Sequence, residues 1–265
     1  MAHIVSIVNQ KGGVGKSTTA VNLASYLAHF GKYVLLVDLD PQGNASSGLN
    51  VVSHEVQGTY HALSGNGKAK DIILPTAHEG LFLLAGGPDL AGASVELVSE
   101  MGRERKLHEA LLEVRNDYDY IIIDNPPTLG LLTVNGLVAA DSVLIPVQAE
   151  YYSLEGLGQL MQTVDMVRQS IKPELEIMGA VITMFDTRTK LSRQVLEELY
   201  AHFPEKIFRS VIPRSVRLAE APSYGQSILQ FDPTCKAGRA YERLAKEFLM
   251  REDTPIAITQ KDTVV

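Results

Sequence analysis

The sequence predicts a single-domain α/β fold, with a mostly parallel twisted sheet flanked by helices. Three observations carry that expectation: short runs of branched apolar residues, helical stretches that alternate with them, and a glycine-rich turn between the first strand and the first helix. The run "IVSIV" (4–8) is nearly continuous in apolar residues, as a strand covered on both faces must be. "KSTTAVNLASYLAHFGK" (16–32) sets Ala20, Leu23, Ala24 and Leu27 on one helical face and places Gly31 where a helix would stop. "YVLLVDLD" (33–40) completes a strand–helix–strand unit. Residues 43–92 show the least regular pattern and are expected to hold loops, short strands and a helix. Further strands are expected at "YIIID" (120–124), "SVLIPV" (142–147) and "MGAVITMF" (178–185), and helices over 103–116, 154–171, 189–202 and 236–250. One domain over 1–250 and a polar, mobile tail over 251–265 follow from this layout.

With 265 residues, 45% of them apolar and 21% charged, the chain has the means to bury a sizeable core. The single cysteine, Cys235, excludes an internal disulfide and a metal centre built mainly on thiolates. No apolar run reaches the roughly 18 residues of a membrane helix, and the first residues lack a basic-then-apolar leader, so a cytoplasmic protein with no membrane partner is expected. A formal charge of -7 excludes a generally basic nucleic-acid coat, leaving any DNA contact to a local patch.

The chemistry concentrates in "NQKGGVGKST" (9–18). A strict phosphate-binding loop carries glycine where Gln10 stands, but the rest of the pattern persists between a buried strand and a helix. Gly12, Gly13 and Gly15 let the backbone from Lys11 through Val14 to Thr18 crowd a phosphate, Lys16 matches β- and γ-phosphate oxygens, and the Ser17 hydroxyl suits Mg²⁺. A plain glycine turn explains the glycines but not Lys-Ser in register. The extra lysine, Lys11, has no role in an ordinary loop of this kind; taken alone it reads as an exposed loop residue. Alternation puts Asp38 and Asp40 on one face at the end of the second strand, and Asp124 follows an apolar run at the end of another. Strand ends are where layered α/β folds place their chemistry. Solvated loop acids and a strand cap are the alternatives for these carboxylates.

"KGGVGKST" resembles the deviant Walker A motif of the ParA/MinD family of ATPases, which have the P-loop NTPase fold. The resemblance implies that Lys11 reaches the nucleotide held by a second subunit, so that ATP closes a homodimer, and that Lys11, Lys16 and Asp40 carry hydrolysis of ATP to ADP and phosphate. It also implies that Ser17, Asp40 and Asp124 serve Mg²⁺, that Asp38 supports the site, and that Ile212 and Pro213 pack on adenine with Met184 nearby. The family usually has Cys, Thr or Ser after the second-switch aspartate, where this chain has Asn125. "PVQAEYYSLEGL" (146–157), "ITMFDTRT" (182–189) and "VIPRSVRLAEAPSYGQSI" (211–228) resemble the chromosomal ParA, or Soj, branch. That branch implies non-specific double-stranded DNA held by Arg188 and Arg217, with Arg214, Lys236, Arg239 and Lys246 as possible extensions, a ParB-type stimulating partner, and a nucleoid-associated role in chromosome or plasmid segregation. A positioning ATPase for a protein cargo shares this physics. A MinD-like membrane switch needs a basic amphipathic C-terminal helix that the tail lacks, and an iron–sulfur relative needs more than one cysteine. A ligase relative needs a substrate pocket that no motif declares.

Overall fold

The sheet runs β3–β4–β2–β5–β1–β6–β7–β8, parallel throughout except where the two-residue β3 (Leu74–Pro75) pairs antiparallel with β4 (Leu81–Leu84) at one edge. Its other strands are β1 (His3–Ile7), β2 (Val34–Asp38), β5 (Tyr120–Asp124), β6 (Ser142–Gln148), β7 (Glu176–Phe185) and β8 (Ile207–Pro213). The computed structural model describes residues 1–150, 153–186, 188–189, 195–197, 199–200 and 206–253.

Each central strand is apolar on both faces because both faces are covered. On β2, Leu35 and Val37 enter one core while Val34 and Leu36 enter the other; on β5, Ile121 and Ile123 oppose Tyr120 and Ile122 in the same way. The first core is closed by α3 (Thr59–Ser64), α5 (Asp89–Glu96), α6 (Lys106–Leu112), α7 (Leu131–Ala139) and α8 (Ser153–Ser170), through Leu63, Leu90, Leu107, Leu137 and Leu160. The second is closed by α1 (Lys16–His29) and α11 (Lys236–Asp253), through Leu23, Leu27, Tyr241, Leu244 and Phe248. A fully buried side chain of this size contributes about 1.5–3 kcal/mol. The two helices are also joined by a buried hydrogen bond, 3.2 Å between Thr19 Oγ1 and Tyr241 Oη. Four shorter helices complete the described elements named here: α2 (Asn44–Ser47), α4 (Ala69–Ile72), α9 (Val216–Glu220) and α10 (Ile228–Phe231).

Several elements depart from the pattern read in the sequence. Helix α7 was not expected, since "LLTVNGLVA" holds a glycine and three β-branched residues; it forms because Leu132, Leu137 and Val138 are buried against the sheet and Gly136 lets it close on Asn125. Strand β8 was also missed. Its Arg209 and Ser210 interrupt the apolar run because it lies at the sheet edge. The helix expected over 103–116 is shorter, with a 3₁₀ turn at Arg103–Arg105 leading into α6. The last helix passes the expected boundary at 250 and runs through Asp253. Arg251 explains the extension: it stacks 3.9 Å from the Phe208 ring centroid, and its Nη2 donates to Ile207 O at 2.6 Å and to Glu247 Oε1 at 3.1 Å. The rest of the expected tail, 254–265, and most of the helix expected over 189–202 lie outside the described residues.

Candidate nucleotide site

The carboxyl ends of β1, β2 and β5 meet where the strand order reverses around β1, the position at which open α/β sheets form a crevice. Here β1 feeds the glycine loop and the loop feeds α1. Gly13 at φ 73° and Gly15 at φ 89° take left-handed conformations that a Cβ disfavours, which turns the chain sharply into the helix. Helix α1 has 14 residues and no acidic side chain in its first turn, so its positive end is uncompensated and favours an anion. Beneath the loop, Val14 is fully buried and its carbonyl accepts a 2.7 Å hydrogen bond from Thr183 Oγ1 of β7. Asn9 holds the entry, accepting from Lys11 N at 3.0 Å and donating to Pro146 O at 2.7 Å.

Lys16 is buried, and its Nζ donates back to Lys11 O across the loop at 3.2 Å. Burial lowers its pKa, while Asp124 and Asp40 work in the opposite direction. Those acids arrive by strand register: Asp38 of β2 stands directly beside Asp124 of β5. Asp38 is saturated with donors, its Oδ1 accepting from Asp40 N at 3.1 Å and its Oδ2 from Ser46 N at 2.8 Å and Ser46 Oγ at 2.7 Å. Burial nevertheless pushes its pKa up to about 6. Asp124 differs: it is fully buried, and neither carboxylate oxygen has a hydrogen-bond partner. Burial first, and Asp38 second, raise its pKa well above the usual carboxylate range, and the nearby Ser17 and Lys16 offset this only partly. An unpaired carboxylate at the foot of a hydroxyl and a lysine is the arrangement that a divalent cation would neutralise. One buried carboxylate near the Ser17 hydroxyl suits Mg²⁺, which takes one or two carboxylates and completes its shell with water and phosphate.

Above these groups lies a cavity of about 360 Å³. Of the expected residues, Gly12, Gly13, Gly15, Lys16, Ser17, Thr18, Asp40 and Met184 line it, and Lys11, Val14, Asp124 and Pro213 do not. Asp40 is buried and accepts from Gln42 N at 3.0 Å. Met184 holds φ at 52°, a strained value for a side chain of its size, on the cavity wall. Pro213 pairs with Phe185 at the sheet edge, and Ile212 is buried in the second core. The far wall comes instead from α9 and the turn after it, through Leu218, Ala221, Pro222 and Gln226. Sequence reasoning stopped a few residues short of this wall. The proline and glycine in "EAPSYGQ" marked a turn there, but nothing in the pattern aimed the turn at the loop. It also missed Asn22, which lines the cavity and accepts from Ile228 N at 2.7 Å, tying α1 to α10.

Lys11 leans away from the cavity toward Glu150 Oε2 at 3.2 Å, with a third of its side chain exposed. Arg188 and Arg217 lie outside the cavity, Arg188 beyond the end of β7 and Arg217 on α9 beside Leu218.

A family model described as an AAA domain matches residues 2–177. The chain is 49% identical over 256 residues to the chromosome partitioning protein ParA of Myxococcus xanthus, covering 96% of this chain and 90% of that one. It is 52% identical over 248 residues to the sporulation initiation inhibitor protein Soj of Bacillus subtilis, covering 93% and 98%. The chain belongs to the ParA/Soj family of chromosome-partitioning ATPases. Among solved structures, the cobyrinic acid a,c-diamide synthase of Mycobacterium smegmatis with bound ADP and magnesium superposes with a TM-score of 0.85 at 34% identity, covering 96% of each chain. The septum site-determining protein MinD of Pyrococcus horikoshii, complexed with Mg-ADP, superposes at 0.76 with 27% identity. In this ParA/Soj-family chain Asn125 is fully buried. Its Nδ2 donates to Ser6 Oγ at 2.8 Å and Ile7 O at 3.0 Å, bolting the start of the "NPP" turn to β1.

Proposed function

We propose that ATP and Mg²⁺ occupy the cavity, that ATP closes a homodimer, and that the dimer holds duplex DNA until hydrolysis releases it in chromosome or plasmid segregation. The observation that carries this reading is the buried, unpartnered Asp124 beneath a lysine-bearing glycine loop, with a second lysine directed out of the same loop. In the proposed cycle the loop amides and Lys16 hold the phosphates, and Leu218 and Pro222 flank the base. Ser17 and Asp124, with Asp40 close by, would hold Mg²⁺, which would supply charge neutralisation to the phosphates. Lys11 exchanges the Glu150 carboxylate for the phosphates bound by the other subunit, so two like surfaces join only when that negative charge lies between them. Asp40 orients water and takes its proton as the water oxygen bonds to the γ-phosphorus. The bond to the bridging oxygen breaks, giving ADP and phosphate.

Arg188 and Arg217 supply phosphate contacts without base readout, so retention on DNA is indifferent to sequence and weakens steeply with salt. A ParB-type partner stimulates the slow chemical step and so sets residence on the nucleoid. No helix among the described residues is long and apolar enough to cross a membrane. The test is retention on DNA and on lipid vesicles with ATP, ADP or no nucleotide at two salt concentrations. DNA retention confined to ATP and low salt is expected; retention without nucleotide, or on vesicles alone, overturns the reading. Lys11→Ala is expected to bind ATP yet sediment as a monomer, and a normal ATP-dependent dimer would remove the cross-subunit role.

A further inference from the structure

Among the described residues, each arginine that faces solvent at the carboxyl end of β7 and β8 meets a carboxylate. Arg188 Nε donates to Asp186 Oδ1 at 2.9 Å and Oδ2 at 3.2 Å, and its Nη2 donates to Oδ2 at 2.6 Å. The backbone N of Arg188 adds a 3.0 Å bond to Oδ1, which fixes the acid in place. Arg217 lies 4.4 Å from the Phe231 ring centroid, with Nε donating to Asp232 Oδ2 at 3.0 Å and Nη1 to Glu220 Oε2 at 3.1 Å. Arg214 Nη2 stands 3.6 Å from Glu150 Oε1.

These contacts occupy the donors that a nucleic-acid phosphate would use. A guanidinium grips a carboxylate and a phosphate through the same paired geometry, so one displaces the other. Around Arg217 the balance is unfavourable to DNA: one positive charge faces two negative ones. We infer that Asp186 and Asp232 are built-in competitors that hold the affinity of this surface for duplex DNA low. This rests on the reading of Arg188 and Arg217 as phosphate contacts. Both pairs are open to solvent, with Arg188 85% exposed and Arg217 49%, so each acid weakens a phosphate contact without abolishing it. The result is a surface that attaches through several exchangeable contacts and separates readily once the dimer opens.

The test uses ATP-loaded dimers and a linear duplex of unrelated sequence at one fixed salt concentration. Asp186→Asn and Asp232→Asn keep the size of each acid and one acceptor oxygen and remove its charge. Each is expected to tighten DNA binding about threefold per subunit, roughly tenfold per dimer. Asp71→Asn, exposed on α4 next to the opposite edge of the sheet, removes the same charge at a distance and is expected to change little. Acid variants that bind no tighter than this control, or that bind more weakly, overturn the inference, because the acids then serve only to aim the arginines. Arg188→Glu and Arg217→Glu distinguish DNA binding by this surface from competition by its acids. If they leave retention unchanged, the DNA reading itself fails; if they strip the dimer from DNA while the Asp→Asn variants gain nothing, only the competition fails. ATP-dependent dimer formation, measured for every variant, confirms that each is folded.

Discussion

Lys16 and Asp124 form an unequal pair: a lysine made less basic by burial and a carboxylate made harder to ionise by burial, each needing a charged ligand nearby. Lys16→Ala removes the cation proposed to face the phosphates. A charge-assisted hydrogen bond of this kind is worth about 1.5–3 kcal/mol, so nucleotide affinity by calorimetry should fall by one to two orders of magnitude, and unchanged affinity would deny Lys16 its role. Asp40→Ala leaves the loop intact but removes the only carboxylate that lines the cavity among the described residues. Turnover is expected to drop about 10²–10⁴-fold, the usual contribution of a general base, with ATP-bound dimers accumulating. Phosphate release at the normal rate would take Asp40 out of the mechanism. Asp38 is legible as an acid at a strand end, but its saturation by Ser46 and Asp40 N is not, because Ser46 returns to it only through the turn after β2.

At the scale of elements, α7 closes tightly on Asn125, the residue that follows β5. A Cβ at Gly136 would lie 2.0 Å from Asn125 Oδ1, and Asn125 in turn is pinned to Ser6 and Ile7. Gly136→Ala should therefore displace the start of the "NPP" turn and cost about 1–3 kcal/mol of stability, as overpacking in a close-packed interior does. Chemical denaturation measures this, and a wild-type midpoint would mean that α7 shifts freely. The strands of the central sheet were legible because burial on both faces leaves runs with little polar interruption. Helix α7 and strand β8 were not, since their residues have weak or mixed local preference and take their form from neighbours distant in sequence.

For the whole molecule, the cavity joins segments from both ends of the chain: the loop at 12–18, the acid at Asp40, the strained Met184 and the wall at 218–226. Ligand that binds only when all are assembled stabilises the entire fold. At 100 times its dissociation constant, Mg-ATP should add about 2.7 kcal/mol, or roughly 5–10 °C in Tm for a chain of this size. Chelating the magnesium should reverse most of that gain, and a Tm indifferent to Mg-ATP would mean that the cavity is not the nucleotide site.

The sequence by itself determined the layered α/β class, the glycine loop with its two lysines and the acids at the strand ends, because these depend on local backbone freedom, periodicity and charge. Only the tertiary structure decided that Asp38 and Asp124 stand side by side, that Pro213 yields the cavity wall to Leu218 and Pro222, and that Arg188 and Arg217 each face a carboxylate. Those relations arise from strand order and chain reversal over long sequence separations, where no local pattern records which groups will meet.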